Sequence, residues 1–165
     1  MYERLPAFIL GFHGCTRKVA EELLNNTLSM KVSAEPYDWL GKGMYFWESD
    51  PSRALDWAST SKPSKHAPCV VGAVIDLGHC LNLMNYRMLD EVKTAHDVLK
   101  RSSPSKYAEL KNEGGKDNYK RHKDCAVFDF LHELRNEAGQ PVYDSVRSVF
   151  WEGNALYAGA GIKKK

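Results

Sequence analysis

Two short stretches hold the residue types from which a ligand site can be built. In "GFHGCT", residues 11–16, an imidazole stands between glycines at the end of an apolar run. The His13 ring can hydrogen-bond a ligand hydroxyl, and Gly14 has no Cβ to keep a ligand away from its backbone N–H and C=O. In "GKGMYF", residues 41–46, Gly41 and Gly43 leave room beside Tyr45, whose ring could stack on a flat heterocycle, above all a cationic one. A histidine after a strand, or a half-buried strand tyrosine, is more often structural than catalytic when it stands alone. The two segments together are more specific than either.

These side chains need elements to position them. Residues 8–12 read as a short strand that ends at 11–14. A helix should follow, capped by Thr16, with Val19, Ala20, Leu23 and Leu24 as its apolar stripe and Asn25 and Asn26 closing it. Residues 33–43 read as loop, and 44–47 as a second strand carrying Tyr45. Asp50 is a good N-cap with Pro51 at the first helical position, so 51–60 should be helical. The β-branched run at 69–78 is the clearest strand signal and reads as a central strand, followed by a short strand at 80–84. Helical spacing continues over 86–101, ended by Pro104, and over 122–136, with Ala126, Phe130 and Leu134 on one stripe and Val127, Phe128 and Leu131 extending it. Residues 146–151 form a last strand before a glycine-rich end. Short strands and helices without regular alternation argue for α+β.

Composition narrows the function classes. A chain of 165 residues, 43% hydrophobic and 27% charged, can form one domain, over 1–165, with a sizeable core. There is no apolar run long enough for a membrane span and no clear secretory signal, so no membrane partner is expected and the default address is the cytoplasm. Cys15, Cys69, Cys80 and Cys125 are far apart in sequence and read as reduced thiols. His122, Cys125 and His132 lack a standard zinc spacing and a fourth ligand, so no metal is expected. A net charge of +2 is too balanced to argue for nucleic acid, and the basic segment 111–124 reads first as a solvated face.

Phe12-His13-Gly14 and Gly41-Lys42-Gly43-Met44-Tyr45-Phe46 together resemble the His-Tyr class of ADP-ribosyltransferases, the diphtheria-toxin and poly-ADP-ribose-polymerase-like superfamily. "GMYFWESDPSRALDWA", "VVGAVIDLGHCLNL" and "VRSVFWEG" also look like a small bacterial group placed in that superfamily, and the likeness runs over most of the chain. The resemblance implies a split mixed β-sheet with peripheral helices. It also implies a mono-ADP-ribosyltransferase that breaks the nicotinamide–ribose bond of NAD and moves ADP-ribose to a protein or nucleic-acid acceptor, as a toxin or defence effector would. An antitoxin partner is compatible with that role.

Residue by residue, the resemblance implies that His13 holds a ribose hydroxyl, that the Gly14 backbone reads the nicotinamide amide, that Gly43 leaves room and that Tyr45 stacks on the ring. Trp57, one residue off the usual spacing, would sandwich the ring from the other side, with Trp47 the poorer candidate. Thr16 and Arg17 could reach the adenosine or phosphates. The third motif of the superfamily is a late Glu or Gln beside the ribose. Either Glu152 in "VFWEGN" serves, or the chain is a truncated form whose third residue lies past Lys165, and the second is the preferred expectation. Two other readings share the pocket: a module that binds NAD or ADP-ribose without turnover, and an NAD glycohydrolase with water as acceptor.

Overall fold

A computed structural model describes residues 8–61, 64–115, 117–150 and 152–164. The architecture is mixed α+β, with small antiparallel and parallel sheets. The chain divides into two units, one comprising Met1–Ser33 and Gly43–Gly78, the other Ala34–Lys42 and His79–Lys165.

The first unit is built on β1 (Phe8–Thr16), which runs straight through His13 and Gly14 rather than ending there. Its length follows from pairing: all nine residues lie in register with β3 (Pro68–Asp76), from Phe8↔Asp76 to Thr16↔Pro68. β1 is the central strand of a three-stranded antiparallel sheet ordered β2-β1-β3, where β2 is Trp47–Glu48. The β-branched run read as a central strand is therefore at the end of this order, and the glycine-bearing strand is in the middle.

Thr16 turns the chain into α1 (Arg17–Leu24), its side-chain oxygen accepting from the Val19 amide at 3.1 Å. The apolar stripe is narrower than expected, with Ala20 buried but Leu24 72% exposed. α2 (Pro51–Thr60) starts where Asp50 Oδ1 accepts from the Arg53 amide at 2.9 Å and Pro51 needs no partner for a missing N–H. Its fully buried residues are small, Ala54 and Ala58, four apart on one face.

The second unit contains β4 (Cys80–Asn82), α3 (Tyr86–Ser102), α4 (Pro104–Glu109), β5 (Asn112–Glu113), β6 (Lys120–Arg121), α5 (His122–Glu137), β7 (Ser145–Arg147), β8 (Asn154–Ala155) and β9 (Lys163–Lys164). β4 pairs with β7 in parallel, and β5–β6 and β8–β9 are antiparallel pairs. Pro104 ends α3 but also opens α4, as a proline at the first helical turn can. The last expected strand is shorter than 146–151, and its residue Trp151 lies outside the described residues.

Leu81, Ala95, Leu99, Val127, Phe128, Leu131 and Tyr143 form the core of this unit. At its rim Tyr143 Oη donates to Glu91 Oε2 at 2.7 Å, and Arg135 bonds the same carboxylate at 2.8 Å while its guanidinium lies 4.3 Å from the Tyr143 ring centre. This pairing satisfies a buried phenol that would otherwise cost about 1–3 kcal/mol. Burial and the Glu91 carboxylate push the Tyr143 phenol far above its ordinary range.

Candidate functional site

His13, Gly14, Thr16, Arg17, Gly43, Tyr45 and Trp57 all belong to the first unit. Within it, the two glycine-flanked segments meet directly. His13 Nδ1 lies 2.9 Å from the carbonyl oxygen of Tyr45, across 32 residues of sequence. A carbonyl oxygen only accepts, so Nδ1 carries the proton, and in the neutral ring Nε2 is left as an acceptor. The imidazole also stands edge-on to Phe46, with ring centres 5.9 Å apart.

Backbone direction alternates along β1, and two hydrogen bonds fix its phase. Ser49 N donates to Leu10 O at 2.8 Å on the β2 side, whereas Arg17 N donates to Ala67 O at 2.9 Å on the β3 side. The N–H and C=O groups of Leu10, Phe12 and Gly14 therefore face β2, and those of the odd-numbered residues face β3. The register with β2 ends at Phe12↔Trp47. Gly14 thus directs its amide and carbonyl to the side of β1 on which the ladder has already stopped.

The ladder stops early because residues 43–47 are shared among several partners. Gly43 exchanges both backbone bonds with Ser33, at 2.8 and 3.0 Å, and Trp47 pairs with Phe12. Between them the Tyr45 carbonyl is taken by a side chain, so Tyr45 precedes β2 and is not in a strand, contrary to the reading of 44–47 as a strand. Tyr45 is half-buried.

Each glycine proves to have its own reason. A Cβ on Gly14 would collide with the Ala54 carbonyl oxygen and stand 3.1 Å from Ala58 Cβ, so α2 can lie on this strand only over a glycine. The helix covers its α-carbon and the residue as a whole is buried, so a ligand would meet Gly14 only along its backbone edge. A Cβ on Gly43 would meet no atom within 4 Å. Gly41 belongs to the second unit, where φ is +82° and a Cβ would meet Asp129 Oδ1 at 2.9 Å. It serves the approach to α5, together with the Lys42 amide that donates to Asp129 at 3.1 Å.

Cross-strand partners share a sheet face, which puts Trp47 with Phe12 on the face covered by α2. Trp57 of α2 packs there against Trp47 at 5.7 Å, with the Arg53 guanidinium 5.5 Å from the Trp47 ring. His13 is on the opposite face, shared with Phe46 and with the Ile75 side chain that a Gly11 Cβ would strike. Thr16 spends its acceptor on the α1 cap, and Arg17 is exposed at the first position of that helix.

Glu152 belongs to the second unit, half-buried and followed by Gly153, whose φ is +82° and whose amide donates to Asp117 Oδ2 at 2.9 Å. The described residues of the basic segment 111–124 include the β5–β6 pair. Arg121 there is drawn into structural work, 4.2 Å over Trp39 and bonded to Asp124 at 3.2 Å. Lys111 and Lys120 are exposed.

A polar chain that sequence reasoning missed lies on α3 and α4: Asp97 Oδ1 is 2.8 Å from His96 Nδ1, and His96 Nε2 is 2.6 Å from Tyr107 Oη. Lys93 and His96 pull the Asp97 carboxyl down to about 2. The only sequence signal was the adjacency of His96 and Asp97, which is common on helix surfaces.

No helix among the described residues is long and apolar enough to cross a membrane. Compared with protein-family models, with curated proteins and with solved structures, the chain has no match.

Proposed function

We propose that the first unit binds NAD at the point where β1 and the Tyr45 segment part, and that the protein is a mono-ADP-ribosyltransferase of the split-sheet kind. The observation that carries this reading is the pairing of His13 Nδ1 with the Tyr45 carbonyl beside Gly14, whose backbone N–H and C=O lie beyond the last registered β1–β2 pair. The reading draws on three groups of different chemistry there. His13 Nε2 accepts from a ribose hydroxyl, the Gly14 amide and carbonyl can pair with a carboxamide, and the Tyr45 ring offers a face for a cationic heterocycle.

Such a cradle suits cleavage of the nicotinamide–ribose bond. The bond's electron pair leaves with nicotinamide, positive charge develops on the sugar, and an acceptor oxygen or nitrogen then bonds to the anomeric carbon and gives up its proton. Stabilising the developing charge is the principal catalytic demand, and a carboxylate beside the ribose meets it.

The test is incubation with NAD labelled in the adenosine half, alone and with a cell lysate. Transfer leaves label covalently on a macromolecule. Free ADP-ribose with no labelled macromolecule makes the protein a glycohydrolase, and intact NAD makes it a binding module.

A further inference from the structure

The β1–β3 ladder puts two cysteines directly opposite each other. Cys15 and Cys69 are Cα partners, six registered pairs beyond Ile9↔Ile75, in a ladder that is continuous from Phe8 to Thr16. Direct partners project from the same face, so the two thiols stand side by side. By the phase set at Arg17 and Ala67, the Cys15–Cys69 pair is a hydrogen-bonded one, for which Cα atoms lie about 5.5 Å apart. That is inside the range of about 4.4–6.8 Å that disulfide-bonded Cα atoms span, and the Cβ atoms of direct partners, about 4.5–5.5 Å apart, need only a small approach for the bond to close. Both sulfurs are free thiols in the structure.

The geometry points to Cys15 and Cys69 as a two-electron redox site that takes a hydroperoxide as oxidant and closes to a cross-strand disulfide. The two thiols are not equivalent. Cys15 is 7% exposed and its thiol is held above its ordinary range by burial and by Cys69, whereas Cys69 is half-buried. Oxidation starts at Cys69. Its thiolate takes the distal peroxide oxygen to become a sulfenic acid, and the peroxide leaves as an alcohol or water. The Cys15 sulfur then displaces the sulfenic oxygen as water, and two thiols have given up two electrons to one peroxide.

The site lies close to the candidate ligand cradle but does not depend on it. Cys15 is two residues from His13 on the same face of β1, roughly 7 Å along the strand. The bond would tie β1 to β3 across the 54-residue separation of 15 and 69, limiting the unfolded chain and raising the melting temperature of the oxidised protein.

The experiment treats the whole chain with hydrogen peroxide, alkylates it after denaturation and maps the peptides by mass. The expected product has lost two hydrogens, carries one Cys15–Cys69 linked peptide, retains alkylated Cys80 and Cys125, and returns to four alkylated cysteines after a dithiol reductant. Cys69→Ser, at the half-buried position, should abolish the link and leave Cys15 alkylated. Cys15→Ala should leave Cys69 as a sulfenic acid that dimedone traps. Wild-type protein in which Cys15 stays fully alkylated, or in which it links to Cys80 or Cys125, overturns the proposal.

Discussion

His13 Nδ1 and the carbonyl oxygen of Tyr45 are 2.9 Å apart, so the imidazole that would bind a ligand hydroxyl also holds the segment whose ring would stack on the ligand. One hydrogen bond therefore fixes the His13 tautomer and the entry of residues 43–47 into β2. Replacing His13 by Ala removes both the Nε2 acceptor and this tether. The expected cost in NAD affinity is that of one or two hydrogen bonds, about 1–3 kcal/mol or roughly 5- to 150-fold. Calorimetric titration of His13→Ala against wild type checks it.

The glycines separate by what surrounds them. Gly14→Ala forces its methyl into the Ala54 carbonyl, where only movement of the α2 backbone gives relief, and should cost about 1–3 kcal/mol of stability. Gly11→Ala meets the far end of the Ile75 side chain, which can rotate, so its cost should be smaller. Gly43→Ala meets nothing within 4 Å and should stay within about 0.5 kcal/mol of wild type. Urea denaturation of the three variants should rank them in that order, Gly14→Ala the least stable.

At the start of α2, Asp50 Oδ1 accepts from the Arg53 amide at 2.9 Å. Asp50→Ala leaves that amide without its cap and should destabilise by about 1 kcal/mol, with Asp50→Ser recovering most of the loss. Equal melting temperatures for Asp50→Ala and wild type would show that the cap contributes nothing.

Stability at alkaline pH should fall as buried thiols lose their protons. Burial, helped by the Asp129 carboxylate, pushes the Cys125 thiol from 9.0 up to about 11, and its Sγ donates to the Glu35 carbonyl at 3.5 Å. The folded state therefore retains a proton that the unfolded chain releases first. Its contribution is whole below about pH 9 and is lost as pH rises through about 11. Cys125→Ala should flatten part of the fall in stability over that window. Cys15, raised by burial, supplies a further part with the same sign, so the slope lessens without vanishing.

Local signals were legible where a residue acts on its own neighbours. Thr16 caps α1, and Asp50 with Pro51 starts α2, as the sequence order of those residues predicts. Strand extents depended on partners far away in sequence. β1 runs past Gly14 because β3 pairs with all of it, and β2 is cut to Trp47–Glu48 because Gly43 pairs with Ser33 while the Tyr45 carbonyl goes to a side chain. The juxtaposition of His13 with the Tyr45 segment was foreshadowed by their glycine-flanked contexts. The reasons for the glycines were not, since Gly14 answers to Ala54 and Gly41 to Asp129, both reachable only through the folded arrangement. The Glu91–Arg135–Tyr143 cluster, spanning 52 residues between its phenol and carboxylate, leaves no trace in local periodicity.

NAD binding at the His13–Tyr45 cradle is tested most directly by the thermal shift that NAD produces in wild-type protein and in Tyr45→Ala. Ligand at about 100 times its dissociation constant stabilises the folded state by about 2.7 kcal/mol, which moves a melting temperature by several degrees. NAD should raise the melting temperature of wild type, and Tyr45→Ala, folded to the same extent without ligand, should lose most of the rise. No rise in wild type, or the same rise in Tyr45→Ala, would contradict binding at this cradle.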